Sequence, residues 1–183
     1  DVPTGQNYIA QGVTTVVGGN CGGSPFPIRE RFRQIDSAGT ALNVAILAGH
    51  GTIRREVVGR EDVPPAPGQL EEMKALVRQA MVEGAIGFST GLEYTPGAYA
   101  DTDEIAELAT AAKESGGFYA THIRNEGREA IESIREAIEI GERAGIPVQI
   151  SHFKISSSKY WGDSRKTIAL VEDARARGLD IKV

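Results

Sequence analysis

Short apolar runs that open near positions 12, 43, 85, 117, 147 and 179 constrain this chain more than any other feature of it. Gly12 to Val17 is unbroken and largely β-branched, and Asn43 to Ala48, Ala85 to Thr90, Gly117 to His122, Val148 to His152 and Leu179 to Val183 follow. Runs without polar alternation suit strands buried on both faces. Helical patterns occupy most of the gaps. Leu70, Met73, Leu76, Val77, Ala80 and Met81 recur at three- and four-residue spacing, and Ile131, Ile134, Ile138 and Ile140 are the apolar points of a periodic helix from Arg128 to Ala144, with Gly145 placed to end it. Asp101 or Thr102 caps a helix reaching Ser115, Ile28 to Ala38 is weakly amphipathic, and Arg165 to Arg177 forms a last helix. Arg54 to Gly68 carries Pro64, Pro65 and Pro67 and reads as a surface excursion. Strand and helix alternating at intervals of about 30 to 40 residues make a βα repeat and a parallel sheet. Six such units satisfy an open doubly wound sheet or most of an eight-stranded barrel, which usually takes about 250 residues.

The totals narrow the partners. The chain has 183 residues and a net charge of -5, with no run of Lys and Arg, so nucleic acid and anionic lipid are poor matches while small or neutral molecules remain. No apolar run has membrane-spanning length, and no charged-then-apolar signal segment opens the chain. A single cysteine, Cys21, rules out an internal disulfide framework and fits a reducing, cytoplasmic compartment.

One small phrase occurs twice, one βα unit apart. Ala120-Thr121-His122-Ile123-Arg124 and Ile150-Ser151-His152-Phe153-Lys154 each run from a strand into hydroxyl, histidine, apolar residue and cation. Side chains two apart in an extended chain share a side, so Arg124 is expected beside His122 and Lys154 beside His152. Imidazoles at the ends of neighbouring parallel strands suit the way α/β barrels build sites at the carboxyl ends of their strands. The plain alternative is two core or loop histidines with local hydrogen bonds. All three histidines and the cysteine fall at strand ends, with Cys21 in the glycine loop Gly18 to Gly23 and His50 in Gly49-His50-Gly51-Thr52. Thiolate plus two imidazoles is a donor set for zinc that leaves a position open for water, and the long spacing of Cys21, His122 and His152 points to a catalytic rather than a finger-type site.

These residues also carry a resemblance. Gly12-Val13-Thr14-Thr15-Val16 with Gly19-Asn20-Cys21-Gly22, then Gly49-His50-Gly51-Thr52, Gly87-Phe88-Ser89-Thr90-Gly91-Leu92 with Tyr94, Thr121-His122-Ile123-Arg124 with Glu126, and Val148-Gln149-Ile150-Ser151-His152 with Lys154 resemble the N-acyl-D-amino-acid deacylases of the amidohydrolase superfamily. The resemblance implies an incomplete (β/α)8 TIM-type barrel: residues 1–183 would be the central part of one catalytic barrel, about six βα units of a metal-dependent hydrolase, truncated at both ends. It implies hydrolysis of the amide of N-acyl-D-amino acids, with a small-molecule N-acyl amino acid as partner. Cys21, His122 and His152 would hold one tightly bound Zn2+, with Cys21 able to bridge to a second, weaker metal. Lys154 would bind the substrate carboxylate, with Arg124 as a further cation, and Tyr94 would line the pocket or touch the reacting group. The family's His-x-His pair would precede Asp1 and its catalytic aspartate would follow Val183, so this piece alone is expected to be inactive.

Other readings stand beside that one. A related barrel acting on a cyclic amide, of the dihydroorotase or hydantoinase type, shares the chemistry, and an inactive metal- or ligand-binding barrel shares the residues. His50 reads as a structural or outer-sphere histidine, and Asn20 as a partner of its own glycine loop. Glu93 reads as an exposed loop residue or as an acid that would disfavour acidic substrates. Tyr160 and Trp161 read as a lid or as loop packing.

Overall fold

The computed structural model describes residues 4–183. The described chain opens with one helical turn, α1 at Gln6–Ile9. Seven short strands follow: β1 Thr15–Gly18, β2 Asn43–Ile46, β3 Ala48–Gly49, β4 Gly87–Gly91, β5 Phe118–His122, β6 Val148–Ile150 and β7 Ile181–Lys182. All pairings are parallel, β1 with β2 in one sheet and β3-β4-β5-β6-β7 in sequence order in the other.

The second apolar run is thus one extended segment that changes neighbours. Asn43 to Ile46 pair with β1, and Ala48 with the following Gly49 pairs with Phe88 and Ser89 of β4. At the change, Leu47 N donates to Gly18 O (2.9 Å) while Ile46 O accepts from Ile86 N (3.0 Å), so the two sheets are stitched through a single strand. Gly19 makes this possible: its φ is +80°, and a Cβ there would lie 2.3 Å from Leu47 O.

The helices are α2 Ile28–Ala38, α3 His50–Val57, α4 Pro67–Val82, α5 Thr102–Lys113, α6 Ala130–Ala144 and α7 Ser164–Ala176. Local signals fix most ends. Pro67 sits at the start of α4, where its missing N–H costs nothing. Asp101 caps α5 by accepting from Glu104 N at 2.8 Å, and Gly145 ends α6 in the left-handed conformation, φ 60°. Consecutive helices from α3 to α7 touch each other as well as their strands, so they form one layer over the five-stranded sheet. Met73 and Val77 of α4, Ile105, Leu108 and Ala112 of α5, and Ile134 and Ile138 of α6 are buried against Phe88, Tyr119, Val148 and Ile150. Among the described residues no helix is long and apolar enough to cross a membrane.

The surface excursion expected from Arg54 onward needs correcting. Residues 54–57 belong to α3, and Arg54 is fully buried. Its guanidinium meets Glu104 (Nε to Oε1, 3.1 Å) and Val63 O (2.7 Å), while His50 Nε2 meets the same Glu104 oxygen at 2.7 Å. An internal counter-charge turned what reads as a polar loop residue into an anchor.

Candidate metal centre

Three segments bring the centre together. Cys21 follows β1 in a loop clamped by Ser89, whose Oγ donates to Gly19 O (2.5 Å) and accepts from Gly22 N (3.2 Å). Gly22 and Gly91 pack backbone to backbone there, and a Cβ on Gly91 would lie 2.2 Å from Cys21 O. His122 closes β5 beside Gly91. His152 lies two residues beyond β6, which stops at Ile150, earlier than the apolar run suggested. Asn20 bonds Ser151 Oγ (Nδ2 to Oγ, 3.1 Å) rather than its own glycine loop, tying the Cys21 loop to the end of β6.

Cys21, His122 and His152 converge. Cys21 Sγ lies 3.9 Å from His122 Nδ1 and 4.0 Å from His152 Nε2, and the two ring nitrogens are 2.9 Å apart. Bonds of about 2.3 Å to sulfur and about 2.0 Å to nitrogen would place tetrahedral ligands about 3.3 to 3.6 Å apart. The triangle therefore has the size of a zinc site. Its backbone is unusual too: among the described non-glycine residues, positive φ occurs at Cys21 (54°) and His152 (38°). Both belong to the cluster, and backbone strain of this kind gathers at functional sites.

Protonation supports the same reading. The outer nitrogen of each histidine faces a carboxylate: His122 Nε2 is 2.8 Å from Glu93 Oε2, and His152 Nδ1 is 2.7 Å from Glu126 Oε1. Carboxylates only accept, so both outer nitrogens are assigned as N–H, and in neutral rings both inner nitrogens then present lone pairs to Cys21 and to each other. With the thiol beside them, these nitrogens could hold a metal ion. Burial pushes the Cys21 thiol up, the charge of Glu126 adds to this, and Lys154 opposes it, so the thiolate too is favoured by a positive centre.

The remaining expected residues divide. Tyr94 joins the centre, with its hydroxyl 3.4 Å from His122 Nδ1 and its ring 4.7 Å from the imidazole. Desolvation and then the charges of Cys21 and Glu93 push its phenol up, keeping it a donor. Lys154 joins through Glu126, to which its Nζ donates, and lies 3.4 Å from His152 Nδ1. Arg124 does not share the side of His122. The chain leaves the strand after His122, and the Arg124 guanidinium turns to Glu136 (2.7 Å) and to the carbonyls of Ala98 and Ala100. Glu93 is the half-exposed loop residue expected, and its carboxylate is also the acceptor for His122. Trp161 is 72% exposed and lines a groove with Phe153, Lys154 and Ile168. Sequence reading missed Glu93 and Glu126 as partners of the histidines; each lies within four residues of a strand-end motif residue, which was the available signal.

No family model matches the chain. It is 37% identical to the D-aminoacylase of Alcaligenes xylosoxydans xylosoxydans over 92% of its own length and 40% of that protein's. Two crystal structures of D-aminoacylase, one described as defining a novel subset of amidohydrolases and one concerned with its binuclear metal centre, superpose with a TM-score of 0.86 at 35% identity, covering 94% of this chain and 41% of theirs. The N-acyl-D-glutamate deacylase of Bordetella bronchiseptica, complexed with zinc and a phosphonate mimic of the tetrahedral intermediate, superposes with a TM-score of 0.89 at 33% identity over 94% of this chain and 41% of that one. Fold and cluster together place the chain among the amidohydrolases. Within them it belongs to the D-aminoacylase, or N-acyl-D-amino-acid deacylase, family, and it spans about 40% of the length of the relatives it matches.

Proposed function

We propose that the chain is part of a single (β/α)8 catalytic barrel that hydrolyses the amide of N-acyl-D-amino acids, releasing a carboxylate and a free D-amino acid. The observation that carries this is the convergence of Cys21 Sγ, His122 Nδ1 and His152 Nε2, with the outer nitrogen of each ring against a carboxylate. The single layer of helices over strands in sequence order supports a barrel over a doubly wound sheet.

In this reading Cys21, His122 and His152 would hold one zinc, with Cys21 also available to a second metal. Bound there, zinc would supply a Lewis acid for the amide carbonyl and bring the pKa of water down to roughly 7. Tyr94 offers its hydroxyl beside the amide oxygen, where a fixed donor is most useful as charge builds. Lys154, half exposed and with donors beyond the one given to Glu126, pairs with the amino-acid carboxylate and fixes which way the substrate lies. Arg124 serves indirectly, by holding the Ala98 and Ala100 carbonyls of the segment that follows Tyr94.

The test is hydrolysis of N-acetyl D-amino acids, their L enantiomers and cyclic amides by the full-length protein, with zinc content measured beside a Cys21→Ser, His122→Ala, His152→Ala triple variant. Cleavage of the D substrates and loss of zinc in the variant are expected. A preference for a cyclic amide would overturn the substrate, and zinc retained by the triple variant would overturn the site.

A further inference from the structure

The loops that carry His122 and His152 meet at Glu126. Its main-chain oxygen accepts from Ser156 N at 2.7 Å, closing the loop after β5 onto the loop after β6. Its carboxylate is 9% exposed. Oε1 lies 2.7 Å from His152 Nδ1 and 3.7 Å from His122 Nε2, and Oε2 takes Lys154 Nζ. The approach to His152 is close but not aligned as a hydrogen bond, and Oε1 has no other partner. At this separation an unprotonated ring nitrogen would set its lone pair against the oxygen, which assigns the proton to Nδ1. Nε2, the nitrogen facing Cys21, is then bare.

We propose that Glu126 is a positioning residue of the centre: it fixes the tautomer of His152 and restrains Lys154, so that one carboxylate sets both a metal ligand and the neighbouring cation. The inference rests on the zinc reading above and adds a competition to it. Lys154 Nζ is also 3.4 Å from His152 Nδ1, and an ammonium can only donate. With the carboxylate in place, the lysine is drawn to Oε2 and Nδ1 keeps its proton. With the carboxylate replaced by an amide, Lys154 becomes the donor to Nδ1, and the ring proton moves to Nε2, where it blocks a metal. Glu93 plays the simpler part for His122, since it is half exposed and holds no second group at the centre.

The experiment uses the full-length protein with Glu126→Gln and the double variant Glu126→Gln, Lys154→Met. Zinc affinity is read by competition with a chromogenic chelator, and the His152 tautomer from 15N-histidine spectra of the metal-free protein. Glu126→Gln is expected to weaken zinc about 10- to 100-fold and to move the His152 proton to Nε2. The double variant removes the competing donor and is expected to return the proton to Nδ1 and recover part of the affinity. A wild-type tautomer in Glu126→Gln overturns the proposal, whether or not affinity falls, because a packing role would leave the ring proton where it was. Absence of zinc binding by the wild-type protein would instead sink the reading of the site, and the metal-free tautomer would still decide the role of Glu126.

Discussion

The molecule contains two sets of histidine, carboxylate and cation, built from the same groups to opposite ends. In the first, His50, Arg54 and Glu104 are 0%, 0% and 4% exposed, and the cation and the carboxylate are both satisfied inside the protein. In the second, His152 and Lys154 are 37% and 47% exposed around a 9% exposed Glu126. The second nitrogen is what separates them. That of His50, Nδ1, is buried without a partner, and neither a thiol nor another imidazole faces it. That of His152 faces Cys21 and His122. A buried ionic set with nothing beyond it is scaffold, and the same set with an inward lone pair and an open side can bind.

The largest effect expected from breaking this contrast is on the scaffold. Arg54→Met keeps the side chain's length but leaves the Glu104 carboxylate without its guanidinium, and should cost about 3–5 kcal/mol in urea denaturation. Zinc bound per folded molecule should not change; a parallel loss of zinc would show that the two sets are one. The centre should behave in the reverse way. His152→Asn places a residue tolerant of positive φ at that position but takes the imidazole from Glu126 Oε1, so metal-free stability should fall by only about 1 kcal/mol. What should vanish is the stabilisation by zinc, about 2.7 kcal/mol at a hundredfold excess over Kd, read as the difference in Tm with and without metal. Arg124 tests the repeated phrase itself. Because its guanidinium is committed to Glu136 and two carbonyls, Arg124→Met should cost about 1.5–3 kcal/mol even without metal, as a scaffold residue would.

Much of this was legible in the sequence because it depends on local pattern. Apolar runs and three-and-four spacing located the strands and the main helices, and the twice-used phrase singled out His122 and His152. Periodicity failed where a partner distant in sequence decides the outcome. Arg54 reads as surface until Glu104, fifty residues away, supplies its counter-charge. Arg124 and Lys154 occupy matching positions in the phrase, yet Glu136 on α6 captures one and Glu126 the other. The pleat argument that paired each cation with its histidine assumed strand beyond His122 and His152. In fact β5 ends at His122 and β6 at Ile150, so side-chain direction past those points follows loop geometry.

Phe88 lies against the first set, its ring 6.1 Å from that of His50 and 6.1 Å from that of Tyr119. Tyr119 gives the smallest expected effect and the finest test, because it is the neutral counterpart of the ionic set. It is fully buried, its hydroxyl is 2.9 Å from Thr90 Oγ1, and burial pushes its pKa up to about 12. In the unfolded chain the phenol ionises near 10. Below that pH both states are neutral and the full stability is present; above it the unfolded state loses its proton first, so stability falls by about 1.4 kcal/mol per pH unit until the folded pKa is reached. Tyr119→Phe should cost about 1 kcal/mol at neutral pH by deleting one buried hydrogen bond, and should remove this part of the alkaline fall. Measured by urea denaturation from pH 7 to 12, the curves of wild type and variant should cross roughly one unit above pH 10. Curves that stay parallel would mean that the phenolate is tolerated in the fold, and that the core around Tyr119 is less dry than the ionic scaffold near it.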